Sequence, residues 1–157
     1  MIESALDQTH TAVADVRRIV RDLRPPALDD LGLLAALGVH AEKLSPLRVE
    51  FEVDPNIGAL PAAVETALYR VACEALTNVV RHARARSCSI TIGARDGGVA
   101  LQVEDDGEDF RIPTELGVGL RSMRERATEL GGRVSFGRGQ RGGAILELWL
   151  PNMDERP

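Results

Sequence analysis

The stretch "EALTNVVRHA" (74–83) sets a carboxylate, an amide, a guanidinium and an imidazole into residues that otherwise read as buried helix. Each of these groups costs free energy to bury unless it is paired or faces a ligand. Glu74 and Asn78 are four apart and share one helix face, which Arg81 and His82 extend by another turn. The two oxygen donors suit Mg²⁺, directly or through water, and a nearby guanidinium can fork phosphate oxygens. A solvated stripe on a core helix has the same composition, so this segment alone does not decide between the two.

Two further stretches bear on that choice. In "VEDDGEDF" (103–110) an Asp stands where a strand meets a Gly turn, a position that can overlook a pocket and accept a hydrogen bond from an exocyclic amine. Gly107 lets backbone approach a flat base closely. In "GVGLRSM" (117–123) two glycines precede a helix and leave free amides at its N-terminus, a ready anion site. Taken singly, the first is also the composition of an acidic hairpin end and the second that of a plain glycine hinge. Their order and closeness carry more than any one of them: oxygen-donor helix, strand-end Asp, loop and Gly-x-Gly helix start all fall between residues 74 and 123.

The elements that must hold these residues are set by periodicity. Leu68, Val71, Ala72, Ala75, Leu76 and Val79 give the helix at about 61–84 an apolar side for a sheet. "CSITIGARDGGVALQVEDDG" reads as a hairpin, strand 88–95, an Asp-Gly-Gly turn and strand 98–105. Residues 119–130 read as helix ended by Gly131-Gly132, with strands near 133–138 and 143–150 after it. Upstream, residues 2–24 repeat apolar positions at helical spacing, "LRPPALDDLG" interrupts, a helix covers 33–44, and "RVEFEVD" (48–54) alternates as a half-buried strand. The expected class is α+β, a two-layer α/β sandwich with a mixed sheet, preceded by an N-terminal helix.

Composition narrows the function classes. The 157 residues suffice for one substantial core, and only 3% aromatics means that Leu, Val, Ile and Ala must fill it. A net charge of −5 argues against a nucleic-acid-coating surface and gives no reason for anionic-membrane contact. Cys73 and Cys88 have no metal-ligand spacing, so a reducing cytoplasm is the simpler expectation. No apolar run has the length of a membrane span.

Together these stretches resemble the ATP-binding domain of sensor histidine kinases, in the wider family shared with gyrase, Hsp90 and MutL (the Bergerat fold). "EALTNVVRHARA" matches the N box, "DDG" the first glycine box and "GVGLRSMRERATELGG" the second. "VRRIVRDLRPPALDDLGLLAAL" is similar to the junction between the second dimerisation helix and the ATPase domain in the nitrate-sensor subfamily. The resemblance implies a dimerisation-helix end and linker at 1–30, an ATPase domain at 31–151 and a tail at 152–157. It makes Asn78 the Mg²⁺ ligand and Glu74 a water-mediated metal neighbour, with Arg81 and His82 near the phosphates. Asp105 would accept from the adenine amine with Gly107 against the purine. Residues 108–116 would form a short lid, and Gly117, Gly119 and Leu120 would meet the triphosphate. The implied cofactors are ATP and Mg²⁺. The implied partners are a response regulator and the histidine-acceptor dimerisation domain of a homodimeric parent, which membrane anchorage would also suit.

Two positions depart from the family pattern. Asp109 replaces the second glycine of the first glycine box, and Gly143-Ala144 stands where Gly-Thr is frequent. Loss of one neutral hydrogen bond is worth about 1 kcal/mol, roughly five-fold in affinity, so ATP binding is expected to be weakened and not abolished. The acceptor histidine of the family lies on the other dimerisation helix. His10 in "LDQTHTAV" lacks the following acidic residue and His40 reads as a packing or surface residue, so no autophosphorylation is expected of this stretch. Two readings compete: a gyrase-like ATPase or anti-sigma-factor serine kinase using Glu74 as general base, and a degenerate module that only binds a partner.

Overall fold

The computed structural model describes residues 2–108 and 117–151. Helix α1 (Ile2–Asp22) is followed by α2 (Pro26–Leu31) and α3 (Leu33–Glu42), strand β1 (Arg48–Val53), and the long helix α4 (Ala62–Asn78). Strands β2 (Ser87–Arg95) and β3 (Gly98–Asp105), helix α5 (Val118–Glu129), and strands β4 (Arg133–Arg138) and β5 (Ala144–Pro151) complete the order. The five strands form one sheet in the order β1-β2-β3-β5-β4. β1 pairs parallel with β2, and the other pairs are antiparallel, so the sheet is mixed as expected.

Alternation along the strands builds the two layers. Cys88, Ile90 and Ile92 of β2, Val99, Leu101 and Val103 of β3, and Leu146, Leu148 and Leu150 of β5 are all buried and face the helices. On the helical side α4 buries Val64, Ala67, Leu68, Val71, Ala72, Ala75 and Leu76, with Val79 just beyond it, the three- and four-residue spacing of a single face. The six apolar residues singled out on this helix all lie in that core. Met123 and Ala127 of α5 and Leu37 of α3 close it.

Sequence and structure part at two places. The interruption after α1 contains a further short helix, α2, with Pro26 in its first turn and Leu28 buried; proline denies a donor that a first turn does not need, so the residues that end α1 also begin α2. The second is the end of α4: α-helical geometry stops at Asn78, and Val79–Ala83 forms a π turn that ends at Arg84 in the left-handed region (φ 48°). Gly131, at φ 74°, ends α5 as a left-handed cap, and the Gly132 N–H donates to the Ala127 carbonyl.

Candidate functional site

A cavity of about 600 Å³ opens between the C-terminal end of α4, the N-terminus of α5 and the ends of β3, β4 and β5. Glu74, Asn78, Arg81, His82, Asp105, Gly117, Gly119 and Leu120 all line it. Its volume lies within the range of small-molecule sites. The π turn matters to this grouping. Arg81 and His82, both exposed, lie on this turn and line the cavity with Glu74 and Asn78. Val103, Phe136, Ile145 and Leu146 add an apolar wall suited to a flat ring.

Asp105 continues the inward alternation Val99, Leu101, Val103 and so occupies a core-facing position at the end of β3. It is 2% exposed. Its Oδ1 accepts the Gly107 N–H at 2.8 Å and its Oδ2 the Ala144 N–H at 3.3 Å. Burial pushes its carboxyl above the usual range, and the two backbone donors oppose that shift. A buried carboxylate held by donors, with a side on a ligand-sized cavity, is an acceptor prepared for a further N–H.

Neighbouring Asp106 does different work. Its Oδ1 accepts the Arg86 and Ser87 N–H groups at 2.8 and 2.9 Å, and Ser87 Oγ donates to its Oδ2 at 2.7 Å. These bonds hold its carboxyl down to about 2. Arg141 extends the network, donating from Nη2 to Ser87 Oγ at 2.8 Å and from its backbone to Glu104 Oε1 at 2.9 Å. The start of β2, the end of β3 and the β4–β5 turn are thereby stapled around Asp105.

The glycines differ from expectation in what they approach. A β-carbon at Gly107 would collide with the Ala83 carbonyl and Asp105 Oδ1, so its bareness serves the junction of β3 with the π turn. Glu108 N–H donates to the same Ala83 carbonyl at 3.0 Å. Gly119 lies within the first turn of α5, not before it, and a β-carbon there would overlap the Glu74 carboxylate. Gly117 is the N-cap. Gly143, read in sequence only as the first member of the Gly143-Ala144 pair, packs directly behind Asp105: a β-carbon would overlap Asp105 Oδ1, its carbonyl and Gly107 N. Ala144 meets Asp105 through its backbone N–H. Asp109 and lid residues 109–116 lie outside the described residues, as does the tail at 152–157.

Residues 63–154 match the model of the histidine kinase-, DNA gyrase B- and HSP90-like ATPases. The chain belongs to this ATPase family. It is 32% identical to the sensor histidine kinase MctS of Rhizobium johnstonii over 99% of this chain and 35% of that protein. It is 31% identical to the sensor histidine kinase LiaS of Bacillus subtilis over 90% of this chain and 40% of that one. It therefore spans well under half the length of these relatives. Among solved structures, the ATP binding domain of PrrB from Mycobacterium tuberculosis superposes with a TM-score of 0.56 at 26% identity, covering 76% of this chain and 91% of that one. The blue-light activated histidine kinase EL346 of Erythrobacter litoralis gives 0.62 at 22% identity, over 79% of this chain and 46% of that one, and shares the fold. The α+β architecture of this chain is thus that of the ATPase family it belongs to.

The remaining candidates are placed as follows. His10 is exposed on α1. His40 is half-buried on α3, and burial lowers its pKa, with Lys43 adding to the effect. Cys73 and Cys88 are free thiols that burial pushes up to about 11 and about 12, far from a reactive thiolate. No helix among the described residues is long and apolar enough to cross a membrane.

Proposed function

We propose that the chain is the cytoplasmic ATP–Mg²⁺-binding catalytic domain of a two-component sensor kinase. It would supply the γ-phosphoryl to a histidine on a dimerisation domain, from which the group passes to a response regulator. The observation that carries this reading is that Asn78 and Asp105, from α4 and β3, line one nucleotide-sized cavity. Asp105 would take the adenine amine, and the apolar wall of Val103, Phe136, Ile145 and Leu146 would take the ring. Arg81 and His82 would meet phosphate oxygens. The bare first turn of α5 would offer its amides to the same anion.

Magnesium fits the donor set. Asn78 and Glu74 present hard oxygens one turn apart, and among the described residues no group of three or more His, Cys, Asp or Glu could enclose an ion. Mg²⁺ characteristically keeps waters and substrate phosphates and takes only one or two protein ligands. When bound it would neutralise charge on the transferring phosphoryl. The "LRPPALDDLGL" junction supports placement in the nitrate-sensor subfamily, with the linker near 1–30 and the ATPase domain at 31–151. His10 is not the acceptor in this reading.

Titration of the chain with ATP–Mg²⁺ and with GTP–Mg²⁺ tests it. Saturable adenine-selective binding, lost in Asn78→Ala when Mg²⁺ is present, is the expected result. No saturable binding of adenine nucleotide would overturn the proposal. Because Glu74 lines the cavity with Asn78, a hydrolytic reading has its own observation; steady ATP turnover abolished by Glu74→Ala would favour a gyrase-like ATPase instead.

A further inference from the structure

Every described side chain of α1 is exposed, Leu6, Val13, Val16 and Ile19 among them. Leu6, Val13, Val16 and Ile19 lie open to solvent, so the direction in which α1 leaves the ATP-binding body is set where the two join. The junction is stiff on one side: Pro25 and Pro26 have restricted φ angles, and α2 is docked through buried Leu28. The soft dihedrals that remain are those of Leu23 and Arg24.

Two arginines hold them. Arg24 Nε donates to Asp29 Oδ1 at 2.5 Å, and Nη2 donates to Glu65 Oε2 at 2.5 Å. Its Nη1 reaches the Ala62 carbonyl at 3.1 Å and Thr66 Oγ1 at 3.2 Å. Arg70 Nη2 donates to the Leu23 carbonyl at 2.6 Å. Ala62, Glu65, Thr66 and Arg70 share one face of α4, whose later turns carry Glu74 and Asn78 to the cavity. All three guanidinium nitrogens of Arg24 are used, in different directions, and an ammonium on a flexible stem cannot reproduce that planar fork.

We propose that Arg24 is a positioning residue that fixes the angle between α1 and the nucleotide-facing helix α4. Its meaning for catalysis rests on the function proposed above. A phosphoryl reaches a histidine only from a near-attack geometry, and a displacement of about 1 Å can cost on the order of a hundred-fold in rate. An arginine that fixes the angle at the base of α1 therefore bears on that approach without touching nucleotide.

Spin labels at exposed Gln8 and Asp96 of the full chain, in a Cys73→Ala background diluted with excess unlabelled chain, read the angle as a distance distribution. The distribution is expected to be narrow with Arg24, broad in Arg24→Ala and Arg24→Glu, intermediate in Arg24→Lys, and narrow again in the exchanged pair Arg24→Glu with Glu65→Arg. ATP–Mg²⁺ affinity should stay within about two-fold throughout, which also certifies that each variant is folded. A distribution that stays narrow in Arg24→Ala, or is already broad with Arg24 present, overturns the proposal. Absence of nucleotide binding with Arg24 present would sink the function above and leave the distance result standing.

Discussion

At the residue scale the two adjacent aspartates titrate in opposite senses. Asp106, held down to about 2 from 3.8, adds stability that is fully present above the ordinary carboxylate range and is lost as pH falls towards 2. The melting-temperature difference between wild type and Asp106→Ala should therefore shrink progressively below about pH 4. Asp105, raised by burial, works the other way: protonation favours the fold, and the advantage disappears as pH rises through its raised pKa. Ligand binding reverses its preference, since an N–H donor needs the lone pairs that protonation removes. ATP affinity should accordingly fall as pH is lowered towards that range, and Asp105→Asn should weaken ATP about ten- to a hundred-fold, the worth of a hydrogen bond to a charged group. Calorimetric titration at several pH values measures both. Gly143→Ala should be more damaging to the fold than either, because its β-carbon would meet backbone atoms of Asp105 and Gly107 that cannot swing aside. A loss of about 1–3 kcal/mol is expected from urea unfolding.

At the element scale, the decisive feature is the π turn that ends α4. Val80 lies within it and is 50% exposed. Replacing Arg81 and His82 together by Ala, both exposed on the turn, should leave the π turn and the core in place while removing both side chains from the cavity. The double variant should keep its circular dichroism and its adenosine affinity but lose most of its affinity for the triphosphate, a contrast that isothermal titration resolves. Retained triphosphate affinity would show that Arg81 and His82 do not act from this turn. This turn also marks how far the sequence could be read. The apolar face of α4, the hairpin and the inward position of Asp105 are legible from local period, because a sheet face and a helix face repeat within a few residues. The π turn is not, since one added residue leaves no compositional trace. Nor are the Asp106–Ser87–Arg141 staple and the need for a bare Gly143, which depend on strands brought together from residues 87, 106 and 143. Gly107 was legible as a close approach but not in its partner, Ala83, because that pairing exists only after α4 and β3 are assembled.

At the scale of the whole molecule, an ordered body and an uncovered helix are joined through one short junction. α1 and the residue after it expose Ile2, Leu6, Val13, Val16, Ile19 and Leu23, while the body has its own core from Leu28 to Leu150. Such a stripe in water needs a cover, and in this chain the described residues provide none. A second copy of α1 would match it in period and length, and each exposed Val or Leu buried there would contribute about 1.5–3 kcal/mol. The chain is therefore expected to self-associate reversibly, and Leu6→Glu with Val13→Glu should return it to a monomer in sedimentation equilibrium. The nucleotide cavity draws no lining residue from α1, so ATP affinity should be unaffected by the same two changes. If the double variant sediments unchanged, α1 is not the contact; if it loses nucleotide as well, the body depends on α1 in a way that its exposed side chains do not provide.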